Sequence, residues 1–261
     1  MKKTRFSELW DELLTESILA VTTGELVARS GSSRASVHMA VAEAQRRRRL
    51  YSPAKGLYIV VPLEYRDWGA PPVQWFIDDL CRHLGRKYYV GYLSAAQHHG
   101  ASHQAPQLFQ VVVDRKVTDR LDGPHRIRFH VATKIDDHAT QRASSPGGVF
   151  QVATPETLAL DLAEFPKRGA GLGNVATILQ ELTLDPELLV DGARSRRRST
   201  SRRLGYLLEH AAHVPWDLSA LRELAQPSVG SPTKLEGRGT WSGDVDERWG
   251  VLINAPAEGD A

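Results

Sequence analysis

The chain has 261 residues, of which 41% are hydrophobic and 25% charged, with a formal net charge of +2. That length is enough for a buried core and for two domains, and no apolar run is long enough to read as a membrane span. Its single cysteine, Cys81, excludes an intramolecular disulfide and a thiolate metal cluster within one chain. The charge is unevenly placed. Residues 1–62 hold ten Lys+Arg and six Asp+Glu, a balance of +4, which leaves −2 on the other 199. A basic head on a slightly acidic body fits a nucleic-acid-binding module joined to something with another partner. Met1-Lys2-Lys3 leads directly into an amphipathic pattern without a signal-peptide core, so a cytoplasmic protein is expected.

In chain order, Phe6, Leu9, Trp10, Leu13 and Leu14 have helical spacing. Thr22 or Thr23 can cap a second helix, with Glu25 in its first turn and Gly31 as a left-handed stop. Ser32 or Ser33 caps a third. Val37, Ala40, Val41 and Ala44 form its buried stripe, which turns Ala35, His38, Met39, Ala42 and Arg46 outward. Leu50-Tyr51 starts a strand, Pro53-Ala54-Lys55-Gly56 is a turn, and Leu57 to Val61 returns as a second strand. This order predicts a winged helix-turn-helix over residues 1–62. Residues 63–72, EYRDWGAPP after Leu63, read as a linker, and 73–261 as a larger mixed α+β domain.

In that larger part, Val73 to Leu84 and Tyr92 to His99 have helical patterns, with Tyr88 to Gly91 as a break between them. Gln107 to Asp114, Arg126 to Ala132 and Val149 to Ala153 are β-rich, and Asp122-Gly123-Pro124 and Ser144 to Gly148 separate them as turns. Helices are expected at Pro155–Glu164, Leu172–Leu182, Pro186–Arg194, Ser201–Ala212 and Ser219–Ala225. A last strand is expected within Arg248–Asn254.

The head offers the parts that duplex DNA needs. Ser33, Arg34, Ser36 and His38 lie at the exposed N-terminal end of the third helix, where a recognition helix meets base edges. Arg46, Arg47, Arg48 and Arg49 at its other end, and Lys55 at the wing tip, suit phosphates. A second basic cluster, Arg194, Arg196, Arg197, Arg198, Arg202 and Arg203, offers a further surface for phosphate or carboxylate acceptors.

Catalytic signals are weaker. Asp114-Arg115-Lys116 ends an apolar run in an Asp-x-Lys that metal-dependent nucleases use, with Asp78 or Asp79 as a second acid. So short a match arises easily by chance. His98, His99 and His103 supply no complete ligand set for zinc. Gly169 to Gly173 lacks the preceding strand of a dinucleotide-binding loop. The reading is therefore of a non-enzyme without cofactor or metal. The alternatives are a winged-helix-targeted nuclease using Asp114 and Lys116, and a ligand-responsive transcription regulator with the body as sensor.

These pieces, taken in order, resemble the AbiEi antitoxins of abortive-infection toxin–antitoxin systems. The resemblance rests on the head from Thr22 to Val61, on YYVGYLSAA at 88–96 followed by His99-Gly100, and on VATPETLALDL at 152–162. RLGYLLE at 203–209 and RWGVLIN at 248–254 add to it. It implies an autorepressor whose winged helix binds inverted repeats in its own promoter. It also implies a C-terminal domain that counteracts a nucleotidyltransferase-like toxin, in a family whose antitoxins need not form a stable complex with that toxin.

Overall fold

The structure is a computed structural model that describes residues 6–102 and 106–257. Met1 to Lys3 and His103 lie outside the described residues. The first elements are α1 (Phe6–Thr15), β1 (Ala20–Thr22), α2 (Thr23–Ser30), α3 (Arg34–Arg46), β2 (Leu50–Ala54) and β3 (Leu57–Val60). Next come α4 (Ile77–His83), β4 (Tyr88–Val90), α5 (Tyr92–His98), β5 (Phe109–Val113), β6 (Ile127–Val131), β7 (Thr140–Ser145) and β8 (Gly148–Ala153). The helices α6 (Pro155–Glu164), α7 (Leu172–Glu181), α8 (Pro186–Arg194), α9 (Arg198–His210) and α10 (Ser219–Ala225) follow. Three short strands close the chain: β9 (Thr233–Lys234), β10 (Asp244–Asp246) and β11 (Val251–Ile253). The strands form sheets in the orders β1-β3-β2, β6-β5-β4-β8-β7 and β10-β11-β9. The class is mixed α+β, as the pattern of runs predicts.

The chain divides into two compact units. The first holds the residues up to Tyr88 with Val113–Val131 and Arg142–Gln151. The second holds Tyr89–Val112, Ala132–Gln141 and the chain from Val152.

In the first unit, helix, strand, two helices and a hairpin follow the order of a winged helix-turn-helix. β3 is the central strand, antiparallel to β1 with Ala20 opposite Ile59 and to β2 with Leu50 opposite Val60. Leu9, Trp10 and Leu13 of α1, Leu26 of α2, and Val37, Val41 and Ala44 of α3 pack on Val21, Leu50, Tyr58 and Val60. The sequence also fixes where these helices start and stop. The Thr22 hydroxyl accepts from Glu25 N, and the Glu25 carboxylate accepts from Thr22 N at 2.6 Å. Such a reciprocal box satisfies two donors that would otherwise be orphaned. Gly31 ends α2 at φ 61, a conformation that costs a residue with a Cβ.

Residues 63–72, expected as a linker, are packed within this unit. Leu63–Tyr65 is a 3-10 turn, Ala70 is buried, and the Tyr65 ring meets Trp75 edge-on at 5.0 Å. The single helix expected over Val73–Leu84 is two pieces, a 3-10 turn at Val73–Trp75 and then α4. Phe76 divides them at φ −134, and its fully buried ring meets Tyr51 at 5.7 Å. Burying that ring outweighs helix continuity.

The second unit is built around α6. Thr154 caps it by accepting from Thr157 N at 3.2 Å, and Pro155 takes the first-turn position where its missing N–H costs nothing. Every residue from Glu156 to Ala163 is buried. Helix α9 starts at Arg198, three residues before its expected start at Ser201. β4 occupies the expected break and runs parallel to β8, with Val90 opposite Val152. The chain then turns through Tyr92, which is buried at φ 49, with its hydroxyl bonded to Arg168. Gly205 and the fully buried Trp249 interlock. A Cβ at 205 would lie 2.0 Å from the indole, whose Nε1 donates to Glu209.

Candidate nucleic-acid interface

Helix α3 presents its polar face as the apolar stripe dictates. Ser33 caps it by accepting from Ser36 N, and the two hydroxyls lie 2.9 Å apart. Arg34 and His38 are exposed, and Met39 is 76% exposed on the same face. Ser33, Arg34, Ser36 and His38 are therefore brought together on one exposed helix end.

The arginine run behaves as four separate side chains. Arg46 and Arg47 both reach back to Glu43, at 2.7 and 2.6 Å, and remain more than 70% exposed. Arg48 takes φ 53 where the helix unwinds, and its Nη1 donates to the Asp67 carbonyl at 2.6 Å. Arg49 folds under to Asp11 at 2.5 Å and is only 21% exposed. Exposed ion pairs of this kind are worth about 0–1 kcal/mol, so Arg46 and Arg47 can exchange Glu43 for another anion at little cost.

The wing is held from outside residues 1–62. Its tip, Lys55, is exposed, and the Lys55 carbonyl accepts from His83 Nε2 at 3.1 Å. Arg120 Nε donates to the Pro53 carbonyl at 2.8 Å. Sequence patterns gave no hint of either brace, because each joins residues far apart in the chain. The Asp67 partner of Arg48 was equally invisible.

The second arginine cluster, expected as one basic surface, is not one, and burial is the reason. Arg196 is 6% exposed and pairs with Asp161 at 2.8 Å and Glu164 at 3.2 Å. Arg202 is buried, and its guanidinium donates to the carbonyls of Ala225, Gln226, Pro227, Val229 and Ser231. Arg203 donates to the Lys234 carbonyl at 2.8 Å. Arg194, Arg197 and Arg198 stay exposed. Around the Arg196 pair, the Tyr89 hydroxyl lies 2.7 Å from both the Asp161 carboxylate and His138 Nδ1. Burial raises the Asp161 carboxyl against the pull of Arg196. Burial and then the Arg196 charge lower the His138 imidazole to about 4.

The residues of the nuclease alternative do not assemble a metal-binding group. Asp114 Oδ2 accepts from Arg115, while its Oδ1 is buried without a hydrogen-bond partner. Asp78 accepts from the Tyr88 hydroxyl at 3.0 Å and pairs with Arg82, which also holds Asp79. Among the described residues, no three His, Cys, Asp or Glu side chains stand close enough to hold a metal ion. His99 is committed to the Ala153 carbonyl at 2.8 Å. Among the described residues, no helix is long and apolar enough to cross a membrane.

Fold and site together define a mixed α+β protein whose first elements follow the order of a winged helix-turn-helix. Among known families, residues 89–210 match the model of the AbiEi antitoxin C-terminal domain. That domain supports an antitoxin role. The crystal structure of the RV2827C protein from Mycobacterium tuberculosis is similar, with a TM-score of 0.69 and 17% identity over 94% of this chain and 90% of that one. At that identity the likeness speaks for the fold alone. Comparison with curated proteins gives no match.

Proposed function

We propose that the chain is a DNA-binding antitoxin that represses its own toxin–antitoxin operon and counteracts a nucleotidyltransferase-like toxin. The observation that carries the DNA half is the exposed N-terminal end of α3, with Arg34, Ser36 and His38 presented together above a stripe buried at Val37 and Val41. The family domain at residues 89–210 supports the antitoxin half. In this reading residues 1–62 read inverted repeats in the promoter, and residues 73–261 carry neutralisation.

In the complex, α3 enters the major groove, with Arg34, Ser36 and His38 toward base edges. Arg46 and Arg47 leave Glu43 for phosphates, and Lys55 takes a phosphate from the wing. Each good bidentate base contact contributes about 1–3 kcal/mol of discrimination. Phosphate contacts add affinity without sequence information. If four or five phosphates are neutralised, the log–log salt slope is roughly −4.

A gel-shift titration of the full chain against its own upstream region, repeated at several salt concentrations, tests the first half. Binding that prefers this DNA over a scrambled duplex and weakens with salt is expected; no binding, or salt-independent binding, refutes it. Growth rescue on co-expression with the neighbouring toxin gene tests the second half. Arg34→Ala is expected to lose promoter preference and to retain rescue.

A further inference from the structure

Between α4 and the end of the β7–β8 hairpin lies a cavity of about 400 Å³, and all its lining residues belong to the first unit. Small-molecule sites span about 300–1,000 Å³, so the size suits a small ligand. Asp78, Asp79 and Arg82 line one wall, and Arg142, Gly148 and Gln151 the other.

The two walls are pinned to each other. Ser145 Oγ donates to the Gln74 carbonyl at 3.1 Å. Gln151 N donates to the Tyr88 hydroxyl at 3.2 Å, which in turn donates to Asp78 at 3.0 Å. The hairpin turn comes so close that a Cβ at Gly147 would lie 1.9 Å from the Trp75 carbonyl oxygen. A cavity held in this way needs little ordering when a ligand enters.

Charge is sorted by wall. Asp78 and Asp79 share one guanidinium, that of Arg82, which leaves one negative charge over. Burial raises the Asp79 carboxyl, Arg82 pulls it down, and Asp78 and Glu25 push it up again. Arg82 is exposed, and surface ion pairs of this kind exchange readily. On the other wall Arg142 is exposed and forms no ion pair with any described residue. A purely cationic ligand would face Arg142, and a purely anionic one would face the carboxylates. A ligand carrying both charges is complementary to both walls.

From this we infer that the cavity binds a neutral zwitterion of α-amino-acid type, with its ammonium on Asp78 and Asp79 and its carboxylate on Arg142. The site has a regulatory consequence. Arg82 is followed directly by His83, whose ring bonds the Lys55 carbonyl at the wing tip. A ligand that draws the carboxylates off Arg82 acts one residue from that brace, and so on the wing. This consequence rests on the DNA-binding reading above; the site does not.

The test is isothermal titration calorimetry of the full chain with each standard α-amino acid, its N-acetyl derivative and its amide. At least one amino acid is expected to bind, and both capped forms to bind about tenfold more weakly or worse, as losing a hydrogen bond to a charged group does. Arg142→Ala is expected to bind acid and amide alike, and Asp79→Asn to bind free and acetylated amine alike, with circular dichroism confirming the fold. Arg142→Ala, on an exposed side chain, suffices if the other variant does not fold. No binding by any amino acid, or binding unchanged in Arg142→Ala, overturns the site. Gel shifts on the upstream region with and without the bound amino acid test the coupling, and a changed affinity that His83→Ala abolishes is expected. An unchanged gel shift beside positive calorimetry overturns the coupling and leaves the site. Wild-type chain that binds no duplex overturns the DNA-binding reading and leaves the site.

Discussion

Two arginine-rich runs look alike in the sequence, and the structure separates them. In the run from Arg46 to Arg49, two side chains lie on the surface with one carboxylate between them, so their charge can be lent to a ligand. In the run from Arg194 to Arg203, Arg196 and Arg202 are enclosed, and their charge is consumed by Asp161, Glu164 and a set of backbone carbonyls. The lesson is that density of charge along a chain does not distinguish a binding surface from a buried clamp. What decides is whether acids and loose carbonyls elsewhere in the fold are there to receive it.

The largest test of this contrast is Arg196→Met. Removing one member of a buried ion pair leaves Asp161 uncompensated, and such losses run to about 3–5 kcal/mol. Urea unfolding followed by circular dichroism is expected to show a loss of that size. A change under 1 kcal/mol would return Arg196 to the surface class. Next is Arg34→Ala, expected to cost about 1–3 kcal/mol of promoter preference in competition gel shifts while leaving the unfolding midpoint in place.

Arg46→Ala with Arg47→Ala is expected to flatten the salt slope by roughly 1.8 on any duplex, with stability held within about 0.5 kcal/mol. A marked fall in stability would show that the Glu43 pairs are part of the fold. Arg48→Gly sharpens the contrast from the other side. It relieves a left-handed non-glycine residue and is expected to stabilise the chain by up to about 1 kcal/mol, read as a higher melting temperature.

A separate test is the pH dependence of the buried cluster. His138 has its folded pKa lowered to about 4 from an ordinary value near 6.5, so the unfolded chain binds the proton first. Stability is therefore full above pH 6.5 and declines as the pH falls toward 4. His138→Gln is expected to shrink that decline in urea midpoints measured across the window. An unchanged profile would remove His138 from the cluster.

Much of the fold was legible because local signals agreed with one another. Thr22 with Glu25, Gly31, Ser33, Thr154 with Pro155, and the stripe at Val37, Ala40, Val41 and Ala44 each act within a few residues, and all appear as expected except that Ala40 is only half-buried. The strand β7, TQRASS, was missed because four of its six residues are exposed and it has no apolar alternation to read. The packed state of residues 63–72 was hidden for a related reason. Proline, glycine and charge mark a turn, but they do not tell whether tertiary contacts such as Tyr65 on Trp75 hold it down. In the candidate interface, the exposed end of α3 followed from its buried face. The bracing of the wing by His83 and Arg120 depends on chain closure over long separations, which no local pattern encodes.

The interlock of Gly205 with Trp249 sets a rule for how this protein can change over evolutionary time. The indole occupies the space that a side chain at 205 would need, so the two positions share one fixed volume. A gain at 205 is tolerable only together with a loss at 249. Among diverging relatives the pair is expected to trade size in a correlated way, and a chain that alters one without the other should be rare.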